Sequence, residues 1–148
     1  MRRIDKLIVH CSATVAGKNI TAADIRRWHT DPEPKGRGFA DIGYHFVILL
    51  SGEVELGRPV EQAGAHARKY NDHSIGICLV GGLDQVYRPA NTFTAAQFAA
   101  LEALLLKLRR DYPQTEILGH RDLPKVAKDC PCFDVRAWCR GRGIKPNV

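Results

Sequence analysis

Three short apolar runs, each bounded by polar or turn-forming residues, most constrain how this chain can fold. They read KLIVHC at residues 6–11, SIGICLVGG at 74–82 and TEILGH at 115–120. Short runs rich in Val, Ile and Leu between turn signals are typical of strands buried in a sheet. A further segment, YHFVILLSGEVEL at residues 44–56, predicts a β-hairpin that turns at Ser51 and Gly52.

Helix-starting residues alternate with these runs. Thr21 and Thr94 each stand three positions before an acidic or amide residue, which is the pattern of a capping box, and Asp134 is a favoured N-cap residue. We therefore expect a helix after each of them. The longest has one apolar face at helical spacing, formed by Phe98, Leu101, Leu105 and Leu108. Strands mixed with helices predict an α/β or α+β single domain over residues 1–148, with a central sheet covered by helices.

The charge balance limits the partners that suit this chain. It carries 22 Lys and Arg against 16 Asp and Glu in 148 residues, a formal net charge of +6. A basic surface favours anionic partners such as nucleic acid, membrane surfaces or cell-wall polymers. The basic residues are scattered and do not form a run, so we expect no nucleic-acid partner.

The apolar segments also bear on where the protein acts. The run near the N-terminus, Leu7 to Val9, is too short for the core of a signal peptide. No segment approaches the roughly 20 apolar residues of a membrane helix, so we expect no membrane insertion. The protein is therefore expected to be cytoplasmic when synthesised, and we expect a monomer.

Two histidines and one cysteine stand near the ends of predicted strands. His10 ends the first strand, His120 ends the last, and Cys130 follows His120 by ten residues. Strands that pair in one sheet bring their ends together, and ligand sites form at such ends. Two imidazoles and one thiolate can hold zinc, and three protein ligands plus a water are the pattern of a catalytic zinc site.

Other interpretations of these residues stay open at the level of sequence. A histidine at a strand end is more often a hydrogen-bonded or surface residue than a metal ligand. Cys130 and Cys132 are separated by one proline, so a disulfide or two buried thiols are also compatible with the pattern. A structural site closed by Cys132 as a fourth ligand is a further alternative.

Four motifs occur in an order that resembles a known family. They are VHCSAT at 9–14, DIGYHFVI at 41–48, NDHSIGICLVGG at 71–82 and KDCPCFD at 128–134. Together they are similar to the zinc-dependent N-acetylmuramoyl-L-alanine amidases, above all to the small bacteriophage lysozymes of that family, which are related to peptidoglycan recognition proteins. The similarity runs from about Lys6 to Trp138. It implies an α/β fold with a mixed central sheet flanked by helices, and one Zn²⁺ in a surface groove.

The resemblance also implies roles for single residues. His10, His120 and Cys130 match the zinc ligands, whereas Tyr44 and Lys128 match the two catalytic positions. The implied reaction is hydrolysis of the amide bond between N-acetylmuramic acid and the L-alanine of peptidoglycan, and an endolysin of this kind meets the cell wall after release. Tyr44 would hold the attacking water, and Lys128 would place a cation where the carbonyl oxygen becomes negative.

Two further residues are implied to contact the substrate. His66, in the segment GAHARKYN, matches a position that lines the substrate groove, and Asn71 lies in the same segment and is expected to shape its loop. The chain departs from the family at Cys132, where relatives commonly carry a small residue. A second thiol so near Cys130 is able to compete for zinc or to oxidise with it.

Neighbouring residues receive less specific expectations. Trp28 is expected to pack on the core, His29 to be solvated, and Cys11 to be an inert buried thiol. Lys125 is a rival of Lys128, but Lys128 holds the matching position two residues before the cysteine ligand.

Two other functions remain as alternatives. Recognition proteins of this superfamily keep the fold and lose a ligand, so a non-catalytic peptidoglycan-binding module is one of them. The presence of all three ligand residues together with Tyr44 and Lys128 favours the enzyme. A basic nucleic-acid-binding protein with structural zinc is the other, and it rests on net charge alone.

Overall fold

A central five-stranded sheet organises the protein, for which a computed structural model describes residues 2–147. The strands in chain order are β1 (Lys6–Cys11), β2 (Thr14–Val15), β3 (Phe46–Ile48), β4 (Val54–Leu56), β5 (Ser74–Leu79), β6 (Gly82–Leu83) and β7 (Glu116–Gly119). The central sheet has the order β4-β3-β5-β1-β7, and β2 pairs with β6 in a separate two-stranded sheet. Only β4 runs antiparallel to its neighbour, so the predicted mixed sheet is confirmed.

The apolar runs become the central strands because both faces of the sheet are covered. Leu7, Ile8 and Val9 of β1 are fully buried, and every residue of β5 is buried. Parallel strands covered on both faces need a continuous apolar sequence, which these runs supply. The predicted hairpin is also confirmed, because β3 and β4 pair across a turn closed by the bond from the Leu49 N–H to the Glu53 carbonyl.

Three helices begin after the predicted cap residues. They are α1 (Ala22–Thr30), α2 (Ala95–Asp111) and α3 (Val135–Gly141). Thr21 and Thr94 form full capping boxes, and the Asp134 carboxylate accepts from the Ala137 N–H at 3.1 Å. Such caps satisfy backbone N–H groups that have no partner within the helix, each contributing about 1 kcal/mol. No helix in the described part of the chain is long and apolar enough to cross a bilayer.

The helices cover opposite faces of the sheet. Leu105 of α2 and Val135 of α3 pack in one cluster with Leu7 and Val9, whereas α1 packs in a separate cluster through Ile25. Because side chains alternate along a strand, His10 points away from α2 and α3, toward the face that α1 covers. Fully burying one such aliphatic side chain contributes about 1.5–3 kcal/mol.

Strand register brings the ends of β1 and β7 together on this face. Val9 pairs with Gly119, so the next residues along the two parallel strands, His10 and His120, lie side by side. His10 is the penultimate residue of β1, and His120 begins a 3-10 turn that ends at Asp122. An irregular segment then connects this turn to α3.

Candidate metal centre and groove

Three candidate ligands converge at the carboxyl ends of β1 and β7. His10 is buried, whereas His120 and Cys130 are partly exposed, and their ligand atoms all lie within 4.8 Å of one another. His10 Nδ1 is 3.9 Å from Cys130 Sγ, and the ring centroids of His10 and His120 are 4.5 Å apart. The structure thus brings together the three residues that the sequence predicts as metal ligands.

The spacing and chemistry of these three side chains fit a zinc ion. Tetrahedral zinc with Zn–N near 2.0 Å and Zn–S near 2.3 Å separates neighbouring donor atoms by about 3.3–3.6 Å. The 3.9 Å between His10 Nδ1 and Cys130 Sγ is close to that range. Two imidazole nitrogens and one thiolate sulfur also form a donor set that zinc prefers.

Backbone contacts tie the loop of Cys130 to the sheet. The Cys11 N–H donates to Cys130 Sγ at 3.3 Å, and the Arg121 N–H donates to the Cys130 carbonyl at 2.8 Å. Gly119 permits a close approach, because a Cβ atom there would lie 2.9 Å from Pro131 Cδ and 3.1 Å from a methyl group of Val135. Cys130 and its loop are therefore held by contacts to β1, to the turn after β7 and to Gly119.

The Cys132 thiol contacts groups other than the three candidate metal ligands. Its thiol donates to the Gly82 carbonyl at 3.4 Å and lies 4.0 Å from Cys11 Sγ. Burial raises the pKa of Cys132 to about 12, so its thiol is a poor source of thiolate. Cys11, Cys130 and Cys132 are all free thiols. This placement disfavours the fourth-ligand alternative and gives Cys132 a neighbour, Cys11, that the sequence did not suggest.

Both histidines of the trio are held in their neutral form. Burial lowers the pKa of His10 well below its usual value, and the neighbouring His66, His120 and Lys128 lower it further. Burial also lowers the pKa of His120, with Lys128 as the second cause. A neutral imidazole keeps a lone pair on one nitrogen, which is the form that binds a metal.

Tyr44 and Lys128 line the same groove. The Tyr44 ring centroid is 5.1 Å from that of His10, and burial raises the pKa of the phenol well above its usual value, so it stays a hydrogen-bond donor. Lys128 is exposed and lines the groove beside His120 and Cys130. Lys125 instead lines an adjoining depression with apolar neighbours, and it does not line the cavity at His10.

The C-terminal turn of α1 lines one side of the groove, which the sequence did not predict. Trp28 does not pack on the core; it is 40% exposed and lines the groove. His29 is half-buried rather than solvated: its Nδ1 accepts from the Gly43 N–H at 2.8 Å, and burial lowers its pKa to about 4. Both follow the buried Ile25 by three and four positions, so helical spacing carries a signal for their shared face.

His66 lines both the groove and an adjoining depression, which Asn71 also lines, and the two residues form the corner between these cavities. His66 Nδ1 lies 2.9 Å from His10 Nε2, and His66 Nε2 lies 3.2 Å from Ser74 Oγ. The Asn71 side-chain oxygen accepts from the N–H groups of His66 and Ala67, both at 2.9 Å, so it shapes this loop as expected. Contact of His66 and Asn71 with a substrate stays a prediction.

The fold and this groove together define a class of protein. Two neutral imidazoles and a thiol converge at the carboxyl ends of parallel strands, beside a phenol and an ammonium group. Three candidate ligands in an open groove would leave a coordination position for water, which is the pattern of metal-dependent hydrolases.

Comparison with known proteins gives the particular family. The model of the N-acetylmuramoyl-L-alanine amidase family matches residues 1–133, and the chain belongs to this family. It is 42% identical over 135 residues to the endolysin of Enterobacteria phage K11, which covers 91% of this chain and 85% of that protein. It is 41% identical over 134 residues to the endolysin of Escherichia phage T7, covering 90% and 84% respectively.

A solved structure agrees with the sequence relatives. Wild-type Drosophila PGRP-LB matches with a TM-score of 0.78 at 27% identity, over 100% of this chain and 86% of that one. The family inferred from the four motifs is confirmed, and so is the mixed sheet flanked by helices.

Proposed function

We propose that this protein is an endolysin-like N-acetylmuramoyl-L-alanine amidase with one Zn²⁺ held by His10, His120 and Cys130. The observation that carries the proposal is the convergence of these three donors with Tyr44 and Lys128 in one open groove of a chain that belongs to the amidase family. The bond cut is the amide between N-acetylmuramic acid and the L-alanine of the stem peptide.

The metal would supply chemistry that these side chains lack. When bound, zinc supplies Lewis acidity, which makes water a nucleophile near neutral pH and polarises a carbonyl group. The protein contributes the donor set and an open side toward the groove. The low pKa values of His10 and His120 suit this task, because neither ring must lose a proton to bind the metal near neutral pH.

Tyr44 and Lys128 act on the substrate amide. The Tyr44 phenol stays protonated, so it donates a hydrogen bond and orients either the attacking water or the carbonyl oxygen. Lys128 places its ammonium group where that oxygen gains negative charge in the tetrahedral transition state. Preorganised charge at this position acts mainly in the transition state, so it raises turnover more than substrate affinity.

The charge of the groove suits an acidic wall polymer. In the part of the chain that the structure describes, the charged side chains lining the groove and its two adjoining depressions are all basic: Arg37, Arg68, Lys69, Lys125 and Lys128. A groove lined by one sign of charge attracts ligands of the other sign. Peptidoglycan, whose stem peptides carry carboxylates, is the proposed partner, and the corner of His66 and Asn71 is the proposed substrate contact.

We expect the protein to be a monomer that neither binds nucleic acid nor inserts into a membrane. We also expect it to be made in the cytoplasm and to meet the cell wall after release.

Mass analysis of wall digests tests the reaction. The proposal expects free stem peptides that begin with L-alanine, together with intact glycan strands. Chelation should abolish their release and added zinc should restore it. Wall binding without any release would favour the non-catalytic module, and turnover in protein verified as metal-free would reject the zinc role. Salt-sensitive DNA binding without wall lysis would favour the nucleic-acid alternative.

A further inference from the structure

A chain of hydrogen bonds leads from the proposed metal ligand His10 to a backbone carbonyl. His10 Nε2 lies 2.9 Å from His66 Nδ1, and His66 Nε2 lies 3.2 Å from Ser74 Oγ. The Ser74 hydroxyl lies 2.7 Å from the Tyr70 carbonyl oxygen and donates to it. Ser74 is fully buried at the first position of β5, so no solvent competes for its hydroxyl group.

The last acceptor decides which atom carries each proton. A carbonyl oxygen only accepts, so the single Ser74 hydroxyl proton is engaged with Tyr70. The Ser74 oxygen must then accept from His66, which puts the His66 ring proton on Nε2 and leaves Nδ1 as an acceptor. His10 donates to that acceptor from Nε2. Its own Nδ1 is therefore unprotonated, and this is the atom that faces Cys130 Sγ at 3.9 Å.

The opposite placement of the ring protons is unfavourable at both ends of the hydrogen-bond chain. If His66 carried its proton on Nδ1, the Ser74 hydroxyl would have to donate to His66 Nε2. Two oxygens without a proton between them would then stand 2.7 Å apart at Ser74 and Tyr70. A buried acceptor left without a donor costs about 1–3 kcal/mol. His10 would also carry its proton on Nδ1, and the atom facing Cys130 would have no lone pair to offer.

We propose that His66 and Ser74 are positioning residues that hold His10 in the tautomer whose Nδ1 is free to bind the metal. This inference rests on the proposed role of His10 as a ligand. It gives His66 a role that the sequence did not indicate. Because both His66 ring nitrogens are engaged in the chain, only its carbon edge and ring face remain for a substrate.

The packing around His66 is built for its ring. A Cβ atom on Gly76 would lie 2.6 Å from His66 Cγ, and one on Gly64 would lie 2.8 Å from His66 Cδ2. Glycine weakens a strand interior, so Gly76 in the middle of β5 marks a place where another group must approach the backbone closely. Asn71 fixes the backbone of His66 at the same time.

Nuclear magnetic resonance of the metal-free protein reads the tautomers directly. With ring nitrogens labelled by ¹⁵N at pH 7.5, we expect His10 and His66 each to show a protonated Nε2 and an unprotonated Nδ1. The proton on His10 Nε2 should exchange slowly with water, because His10 is buried. A protonated Nδ1 on either ring would overturn the inference.

Variants then test whether the chain affects metal binding. Ser74→Ala and His66→Phe should each weaken zinc binding about tenfold to a hundredfold, the usual effect of removing an outer hydrogen-bond partner of a metal-binding histidine. Zinc affinity is measured by competition with a chelator. In Ser74→Ala, the His10 ring signals of the metal-free protein should also shift toward an average of the two tautomers. Ser74→Thr keeps the hydroxyl and should restore both readouts.

Thr115 offers a matched control away from the site. It is also fully buried, and its hydroxyl donates to the Tyr112 carbonyl at 2.8 Å, but it precedes β7 at the end opposite His120. Thr115→Ala should lower stability without changing zinc affinity or the His10 signals. Equal losses of zinc affinity in Thr115→Ala and Ser74→Ala would reduce Ser74 to a structural role and overturn the inference.

The two proposals fail in different ways. If the wild-type protein binds no stoichiometric zinc, the proposed metal role fails, whatever the tautomers are. If zinc binds and walls are cleaved, but the ring protons or the variant affinities differ from those expected, only the positioning chain is rejected.

Discussion

The two halves of the candidate metal centre are built differently. The inner wall, defined by His10, His66, Ser74 and the glycines that pack on them, lies on or against β1 and β5. His10 Nε2 and both ring nitrogens of His66 are engaged by protein groups. The ligand loop, residues 120–134, is irregular after the 3-10 turn at its start, is mostly exposed over residues 124–129, and carries Cys130 and Lys128.

The inner wall is preorganised, whereas the ligand loop supplies side chains from an irregular segment. The inner wall is held by a sheet whose central strands are fully buried, so it presents one imidazole in a defined orientation before any metal binds. The ligand loop includes two non-glycine residues in the left-handed region, Lys125 at φ 65° and Cys132 at φ 73°. Such residues persist only where their surroundings hold them. We therefore expect changes in the inner wall to weaken metal affinity and stability. Changes in the ligand loop should instead remove a proposed metal ligand at Cys130 or a proposed catalytic charge at Lys128.

The largest expected effect comes from the two cysteines of the ligand loop. Cys130→Ser should lose stoichiometric zinc and all measurable wall cleavage, because a serine hydroxyl is a poor zinc ligand. Cys132→Ser should keep both, because its thiol points at Gly82 and Cys11. Elemental analysis and a turbidity assay on cell walls measure the two effects. Loss of zinc in Cys132→Ser with retention in Cys130→Ser would mean that the ligand assignment is wrong.

A smaller effect separates the two lysines of the same loop. Lys128→Gln should keep zinc and lose roughly a hundredfold in kcat, the size seen when one oxyanion donor is removed, with a smaller change in KM. Lys125→Gln removes the same charge from the adjoining depression and should change kcat little. Equal losses in both variants that disappear at high salt would show that Lys128 only attracts an anionic polymer.

The smallest predicted effect is the pH dependence of stability that comes from His45, a residue buried beside the inner wall. The Gly76 N–H donates to His45 Nδ1 at 3.0 Å, and burial lowers the pKa of His45 to about 4. The unfolded chain binds this proton below about pH 6.5, whereas the folded protein does so only below about pH 4. Stability from this group is therefore present above pH 6.5 and is lost as the pH falls toward 4, at up to about 1.4 kcal/mol per pH unit.

Denaturant unfolding of metal-free protein between pH 7.5 and 4.5 measures this slope. His45→Gln keeps a hydrogen-bond acceptor and removes the titration, so the free energy of unfolding should fall less steeply with acid. An unchanged dependence of the unfolding free energy on pH would show that His45 is not held neutral in the folded protein. It would also weaken the contrast between the inner wall and the ligand loop.

Local signals in the sequence predicted much of the fold. The caps at Thr21, Thr94 and Asp134 were readable because a capping side chain bonds to the backbone within three residues. The buried strands were readable because a strand covered on both faces must be apolar along its whole length. The order of four motifs also identified the family, since each motif keeps its own short pattern of residues.

The sequence by itself determined the three helices, the main strands, the family and the set of candidate ligands, but not the small sheet of β2 and β6. Only the tertiary structure decided the partner of each side chain. His66 meets His10 across 56 positions of sequence, and Cys132 meets Cys11 across 121, because strand register and the path of an irregular loop set those contacts. Periodicity within one segment carries no information on either of these two contacts. Trp28 shows the same limit, because its exposure depends on where α1 ends over the groove, and that position is set by packing between segments distant in the chain.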